Sequence, residues 1–400
     1  MNEISFSKSQ VRNAMFAFFL AQGLCFASWA SRIPDIKDIY EVDYALYWGM
    51  VLFLIPVGKF LAIPIASYLI SRLGSKNMVQ ISVLGYGLSL LSIGFAQDIY
   101  ALGVCLFSFG ICWNLCDISM NTQAIGIERI FGKTILASFH GAWSLAACIG
   151  ALVGYFMIIG DISPTLHFNG IAFVILLLVL YGRRHLLTNL SAVKKEDSSS
   201  VSQSKTHYFL RPEKLLLTLG LVGLLALIVE SAMFDWSGVF FDSVVEAPES
   251  LQIGFLVFML MMTLGRFLTN AAYNVLGKKK VLQVAGILIF LGFFSAGLLG
   301  NIFESLSLKV VSTSVGFMAV GLGISCMVPT IYSFVGIKST TPISIAITIL
   351  SSISFVGSLL APLLIGSITQ YFDITYAYLL IGLLGLCITA MVTFTSAFEE

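Results

Sequence analysis

Charge is scarce in this sequence. Only 11% of its 400 residues are Asp, Glu, Lys or Arg, against 58% hydrophobic residues, and the mean hydropathy is +0.95. A soluble domain carries about 25% charged residues. No soluble fold of this length hides so much apolar surface, so the solvent for most of the chain is lipid. Paired cysteines are also lacking. Cys25, Cys105, Cys112, Cys116, Cys148, Cys326 and Cys387 all fall in apolar segments, without disulfide-framework or zinc-ligand spacing. They read as small core residues. Cys112 and Cys116 share a helix face but have no nearby histidine partners to build a metal site. No Gly-x4-Gly-Lys-Ser/Thr loop occurs, so nucleotide hydrolysis has no support. No nucleophile–base pair at sensible spacing supports an enzyme, and no cofactor is expected. A net charge of +1 with no basic stripe gives nucleic acid no foothold.

What is present is a succession of apolar runs, each near the ~20 residues that cross a bilayer. They lie near 12–33, 45–70, 78–96, 100–126, 134–159 and 165–182, then near 214–241, 250–275, 280–300, 306–335, 342–370 and 375–396. The first run lacks a small-residue cleavage site before a polar start and is read as a spanning helix, not a signal peptide. Between the two sets lies the one long polar stretch, rich in Ser, Lys and Glu, with the composition of a flexible linker. The expected architecture is all-α: twelve transmembrane helices in two six-helix bundles, 1–185 and 213–400, joined by a linker at 186–212.

Loop charge orients the chain. Arg72, Lys76, Arg183, Arg184, Lys194, Lys195 and Lys278, Lys279 and Lys280 fall on one side. The other side has Lys37, Lys309 and the boundary residue Arg32 among acids such as Asp35, Asp38, Glu41, Asp161, Asp242, Glu246 and Glu304. Both termini are therefore expected in the cytoplasm.

The halves echo each other. GKFL at 58–61, in the second run, matches GRFL at 265–268 in the eighth. RLGSK at 72–76 is mirrored by VLGKK at 275–279. Such repetition marks proteins built from duplicated helical bundles.

Polar residues inside these runs are the candidates for chemistry. Asn114, Asp117 and Asn121, at i, i+3 and i+7, form one stripe on span four. Asp117 lies about 17 residues into the run, roughly 25 Å along a helix. An ionised carboxylate near a helix centre costs about 2.5–3.5 kcal/mol, so Asp117 needs a proton or a partner, and Lys59 or Arg266 is a candidate partner. Glu230 and Asp235 lie five apart on span seven and point in different directions. Arg32 closes span one beside Pro34, placed to hold an anionic group, to pair with Asp235 as an outer gate, or simply to snorkel. Lys59 and Arg266 occupy matching repeat positions, which favours ion pairing between helices. His140, Trp143, Trp29, Trp236 and Tyr332 could line a sugar-sized cavity, since aromatic faces stack on rings while polar tips bond hydroxyls.

Twelve runs, a central linker and a short Gly-basic turn after span two resemble the major facilitator superfamily. That family's loop motif is matched here by Arg72, Gly74 and Lys76, with Ser67 and Ser71 where its glycine and acid belong. Its acid helps latch the bundles on the cytoplasmic side. Span ten, GLGISCMVPTIYSFVGIK at 321–338, resembles the equivalent helix of fucose-permease-like sugar:proton symporters. Asp117 followed by Asn121 matches their span four. SFHGAWSLAACIG resembles their span five with His140 in place of asparagine, and Trp236-Ser237 fits span seven. These symporters carry a second acid late in span one, where this chain has Trp29 or Ala30. WASRIPDIK at 29–37 and ESAMFDWSGVFF at 230–241 resemble instead a little-characterised bacterial branch.

The resemblance implies a monomeric secondary transporter of the bacterial inner membrane. Its partners would be a small organic solute, sugar or sugar-like, protons and lipid. It implies Asp117 as a proton-coupling acid and Arg72, Gly74 and Lys76 as a cytoplasmic gate, and Glu230 could supply the second acid that span one lacks. Asn114, Asn121, Asp235, His140, Trp143, Trp29, Arg32, Trp236 and Tyr332 would contact substrate. Proton-driven efflux of amphiphilic compounds is the alternative within transport. A non-transporting receptor of the same fold is the alternative outside it.

Overall fold

Two glycines at matching points of the repeat adopt a backbone conformation that side chains rarely take. Gly74 has φ 76° and ψ 152°, and Gly277 has φ 77° and ψ 157°. Each sits where one apolar helix hands over to the next, at the RLGSK and VLGKK turns, and glycine admits a positive φ without Cβ strain. The sequence echo is thus a repeated turn geometry.

The computed structural model describes residues 7–131, 135–187 and 212–399. It contains α1 Lys8–Ser31, α2 Ile33–Ile39, α3 Ala45–Ile93, α4 Ile99–Phe131, α5 Leu136–Ile159 and α6 Pro164–Gly182. These are followed by α7 Lys214–Phe240, α8 Gly254–Leu276, α9 Lys278–Phe294, α10 Leu306–Ser325, α11 Met327–Lys338, α12 Ile343–Tyr371 and α13 Ile374–Phe394. Most of the expected linker, 188–211, lies outside the described residues. Eleven helices are long and apolar enough to cross a membrane among the described residues. The stretch read as span three is the part of α3 beyond Gly74, helical to Ile93 but not among those eleven. Span ten is split into α10 and α11 at Cys326. Pro329 falls in the first turn of α11, where its missing N–H breaks no intrahelical bond.

Helix starts follow the local code. Ser7 and Gln10 form a capping box on α1. Asp98 accepts the amides of Tyr100 and Ala101 at 2.9 and 2.8 Å at the start of α4. Ser163 precedes Pro164 on α6, and Asp373 accepts the Thr375 amide at 2.7 Å ahead of α13.

The chain divides into two compact units, one within 1–41 and 51–195, the other within 42–50 and 196–400. In the first unit Tyr86 packs on Phe109 with centroids 4.4 Å apart, and Phe19 stacks on Phe139 at 5.5 Å. In the second, Tyr378 joins Phe240 at 4.5 Å and Phe293 at 5.1 Å. Large apolar side chains such as Tyr100, Val275 and Phe394 are at least 80% exposed, as expected where the solvent is hydrocarbon.

In the second unit Glu213 stands just before α7 and accepts the hydroxyls of Thr340 and Thr341 at 2.6 and 2.5 Å and of Ser339 at 3.3 Å, tying down the segment between α11 and α12. Burial pushes its carboxyl up, and the hydroxyl and amide donors of Thr340 and Thr341 outweigh that and hold it below the usual glutamate range. A depressed carboxylate stabilises the fold above its unfolded value and loses that contribution as pH falls through the folded value. Thermal stability of the detergent-purified protein should therefore drop on acidification below about pH 4.3, and Glu213→Gln should remove this part of the dependence. An unchanged pH profile in the variant would show that the tie carries no stability.

Candidate functional site

The polar centre of the first unit begins with two close helix approaches. A side chain on Gly58 would collide with the Phe107 carbonyl, and one on Gly110 with the Ile55 carbonyl, so α3 and α4 cross nearly backbone to backbone. Small residues are what permit this in lipid. The crossing brings Lys59 of α3 over α4. Its Nζ lies 3.7 Å from the centroid of the Trp113 ring, a cation–π contact. Asn114 donates to the Lys59 carbonyl at 2.6 Å.

One turn beyond Trp113, Asp117 accepts a hydrogen bond from the Gln22 amide of α1 at 2.5 Å, and the Lys59 charge acts on its carboxyl. Three helices thus meet at one acid. Asn121, the last member of the stripe, has its Oδ1 buried with no hydrogen-bond partner among the described residues. Phe26 of α1 links the aromatic groups around this centre, with its ring 5.0 Å from Trp113 and stacked at 5.5 Å on Trp143 of α5. His140, also on α5 and exposed, meets the edge of Phe19 at 5.4 Å.

In the second unit, Arg266 of α8 lies 3.5 Å from Glu230 of α7. Arg266 is the repeat counterpart of Lys59, and Gly265 before it passes close to Ser325 as Gly58 does to α4. The same cation position therefore faces an acid on the bundle's fourth helix in one unit and on its first in the other. Tyr332 bonds Ser351 at 2.6 Å. Asp235 is partly accessible and acts electrostatically on Tyr378. A double-mutant cycle on Glu230→Gln and Arg266→Met should give a coupling of about 0.5–3 kcal/mol. It should fall toward the lower end because the two side chains keep 16% and 27% exposure and are partly screened. Additive shifts in thermal stability would mean that the pair contributes nothing.

Several expected contacts sit elsewhere. Trp29 and Trp236 are 1% and 0% exposed. They are core side chains enclosed by packing, Trp29 against Phe109 at 6.2 Å, and neither lines an accessible surface. Arg32 is 3% exposed. It pairs with Asp35 at 3.0 Å and donates to the Ile162 carbonyl at 2.6 Å, joining α1 to the segment before α6. It is taken up within its own bundle, because the chain turns at Pro34 and brings Asp35 back onto it. Asn114 spends its amide on the α3 backbone.

At the Gly74 turn, Arg72 lies over the Tyr68 ring at 5.2 Å, Lys76 is partly exposed, and Ser75 accepts from Gln123 at 2.9 Å. Gln123 also exchanges bonds with the Leu187 backbone at 3.0 and 3.1 Å. Gln22, Trp113, Phe26 and Gln123 were not picked out from the sequence. A lone glutamine midway along an apolar helix was the available signal for Gln22.

Long apolar helices in two bundles, with ionisable side chains meeting inside each, define a polytopic transport protein of the membrane rather than an enzyme. The chain belongs to the Major Facilitator Superfamily, whose model matches residues 14–341. It is 26% identical to an uncharacterized transporter, y4wD, of Sinorhizobium fredii, over 94% of this chain and 95% of that one. It is also 26% identical to an uncharacterized MFS-type transporter of Yersinia pestis, over 96% and 94%. Its fold is similar to a crystal structure of the nucleoside transporter NupG, with TM-score 0.73 and 13% identity over 97% of this chain and 99% of that one.

Proposed function

We propose that this transporter carries a small organic solute, sugar-like in size, across the bacterial inner membrane in symport with protons. It works as a monomer with both termini cytoplasmic, through alternating access of its two bundles. The observation that carries the reading is Asp117: an acid inside a membrane helix, bonded by Gln22, within the field of Lys59, and still partly accessible. A carboxyl so placed is costly when ionised and alone, and can take up a proton from whichever side the site faces.

Glu230, held by Arg266, is the second titrating acid, supplied by span seven instead of span one. Trp113 and Trp143 offer flat apolar faces for a ring, with His140 and Asn121 as polar contacts in the first unit and Asp235 and Tyr332 as polar contacts in the second. The nucleoside named for NupG is a hydroxylated ring compound of suitable size. Arg72, Gly74 and Lys76 form the cytoplasmic gate.

Purified protein in vesicles with a trapped pH-sensitive dye tests this. A transported sugar, nucleoside or acidic derivative should move protons in the same direction as itself. Solute flux without proton movement would overturn the coupling, and absence of flux for every solute would favour a receptor.

A further inference from the structure

The two repeat turns share a backbone and differ in charge. Gly74 and Gly277 have nearly the same positive φ. After Gly74 come Ser75, Lys76 and Asn77. Ser75 accepts from Gln123 at 2.9 Å and Asn77 donates to the Leu73 carbonyl at 3.0 Å, so both side chains serve the first unit itself. After Gly277 come Lys278, Lys279 and Lys280. The turn geometry therefore does not call for three lysines. They occupy the first turn of α9, where the positive end of the helix already lies and the ammoniums repel one another. Negative charge from outside the helix relieves that arrangement.

The neighbouring elements add to the cluster. Lys278 donates to Ser333 of α11 at 2.7 Å, and Lys338, at the end of α11, donates to the Ser396 carbonyl just past α13 at 3.3 Å. Gln283 of α9 donates to Thr393 of α13 at 2.9 Å, and Phe334 meets Phe398 edge-on at 5.4 Å. The start of α9 and the ends of α11 and α13 thus bring four lysines to one end of the second unit. Glu213 at this end already accepts the hydroxyls of Ser339, Thr340 and Thr341, and Glu399 adds one exposed carboxylate. The cluster is net positive. Beside it, Val275 before the turn and Phe394 at the end of α13 are large apolar side chains with most of their surface exposed. Ammoniums next to exposed hydrocarbon side chains match the boundary between lipid headgroups and acyl chains.

We propose that this end of the second unit binds an anionic phospholipid, with its phosphate at Lys279, Lys280 and Lys338 and its acyl chains along Val275 and Phe394. A zwitterionic lipid brings an ammonium of its own to the cluster and gains less. An inorganic anion meets the lysines but leaves the apolar side chains uncovered. The site lies apart from Asp117 and Glu230, so it stands or falls independently of proton coupling. A general attraction of basic segments for an anionic leaflet would act as strongly on the first unit, where Arg183 and Arg184 are exposed.

Native mass spectrometry of the purified full-length protein in neutral detergent tests this, with phosphatidylglycerol or phosphatidylcholine titrated in. Phosphatidylglycerol should bind about fivefold or more tightly, the worth of a single lysine at an anionic surface, and the advantage should shrink at high salt. Lys279→Gln with Lys280→Gln should remove most of the preference, and Lys279→Arg with Lys280→Arg should keep it. Arg183→Gln with Arg184→Gln strips the same charge from the first unit and should leave the preference unchanged. Equal binding of the two lipids would overturn the proposal, as would equal weakening by the two pairs of glutamine substitutions. So would inorganic phosphate protecting the protein from thermal unfolding as well as phosphatidylglycerol does, since the site would then take an anion without its lipid.

Discussion

Replacing Asp117 by asparagine is expected to abolish uphill, proton-driven accumulation while leaving downhill exchange of the same solute intact. Asparagine keeps the side-chain shape and an oxygen to accept the Gln22 amide, so the contact between α1 and α4 at 2.5 Å survives. What is lost is the carboxyl that binds and releases a proton. The variant is locked in the electrical state of protonated Asp117, and a solute that binds it has no proton to carry. Coupling free energies between two ligands run at about 1–3 kcal/mol, or 5–150-fold in affinity, so the pH dependence of solute affinity should vanish in the variant and its accumulation ratio should fall to about one. Measuring gradient-driven accumulation and equilibrium exchange in the same vesicles separates coupling from folding. Wild-type accumulation by Asp117→Asn would remove Asp117 from the mechanism.

Gly110→Ala should be the most destabilising single methyl addition near the site. The new Cβ meets the Ile55 carbonyl, backbone that no rotamer change can move aside. Separating the helices enough to fit it would strip the Asn114 bond from Lys59 and lift the ammonium off Trp113. Overpacking typically costs about 1–3 kcal/mol and more where backbone must shift. Gly170→Ala and Gly336→Ala are the controls, because a Cβ at either position meets nothing within 4 Å. An alanine there should be neutral or stabilising by up to about 1 kcal/mol. Thermal unfolding in detergent, followed by the fluorescence of the chain's five tryptophans, reads both effects. Equal behaviour of the three variants would show that the α3–α4 crossing is looser than its geometry.

Much of this molecule was legible before its structure was known. The apolar runs announced the helices, and the twin GKFL and GRFL segments announced a duplicated bundle. The RLGSK and VLGKK segments announced a repeat, and the structure added that Gly74 and Gly277 share a positive φ. Asp117 stood out because a carboxylate in hydrocarbon is costly wherever it points. Its partners were harder to read. Gln22 lies 95 residues away in the chain, and a membrane helix is apolar on faces toward lipid and toward neighbours alike, so periodicity does not say which helix touches which. The same ambiguity made Trp29 and Trp236 look available for a ring when both are enclosed, and Arg32 look like a gate when Asp35 and Ile162 hold it.

The sequence by itself determined the solvent, the helical class, the duplication and the presence of ionisable side chains within the spans, because each follows from composition, run length and local backbone demand. Only the tertiary structure decided that the Lys59 of GKFL answers an acid on α4 while the Arg266 of GRFL answers one on α7. That difference depends on which helices small residues allow to approach, and no local pattern encodes it.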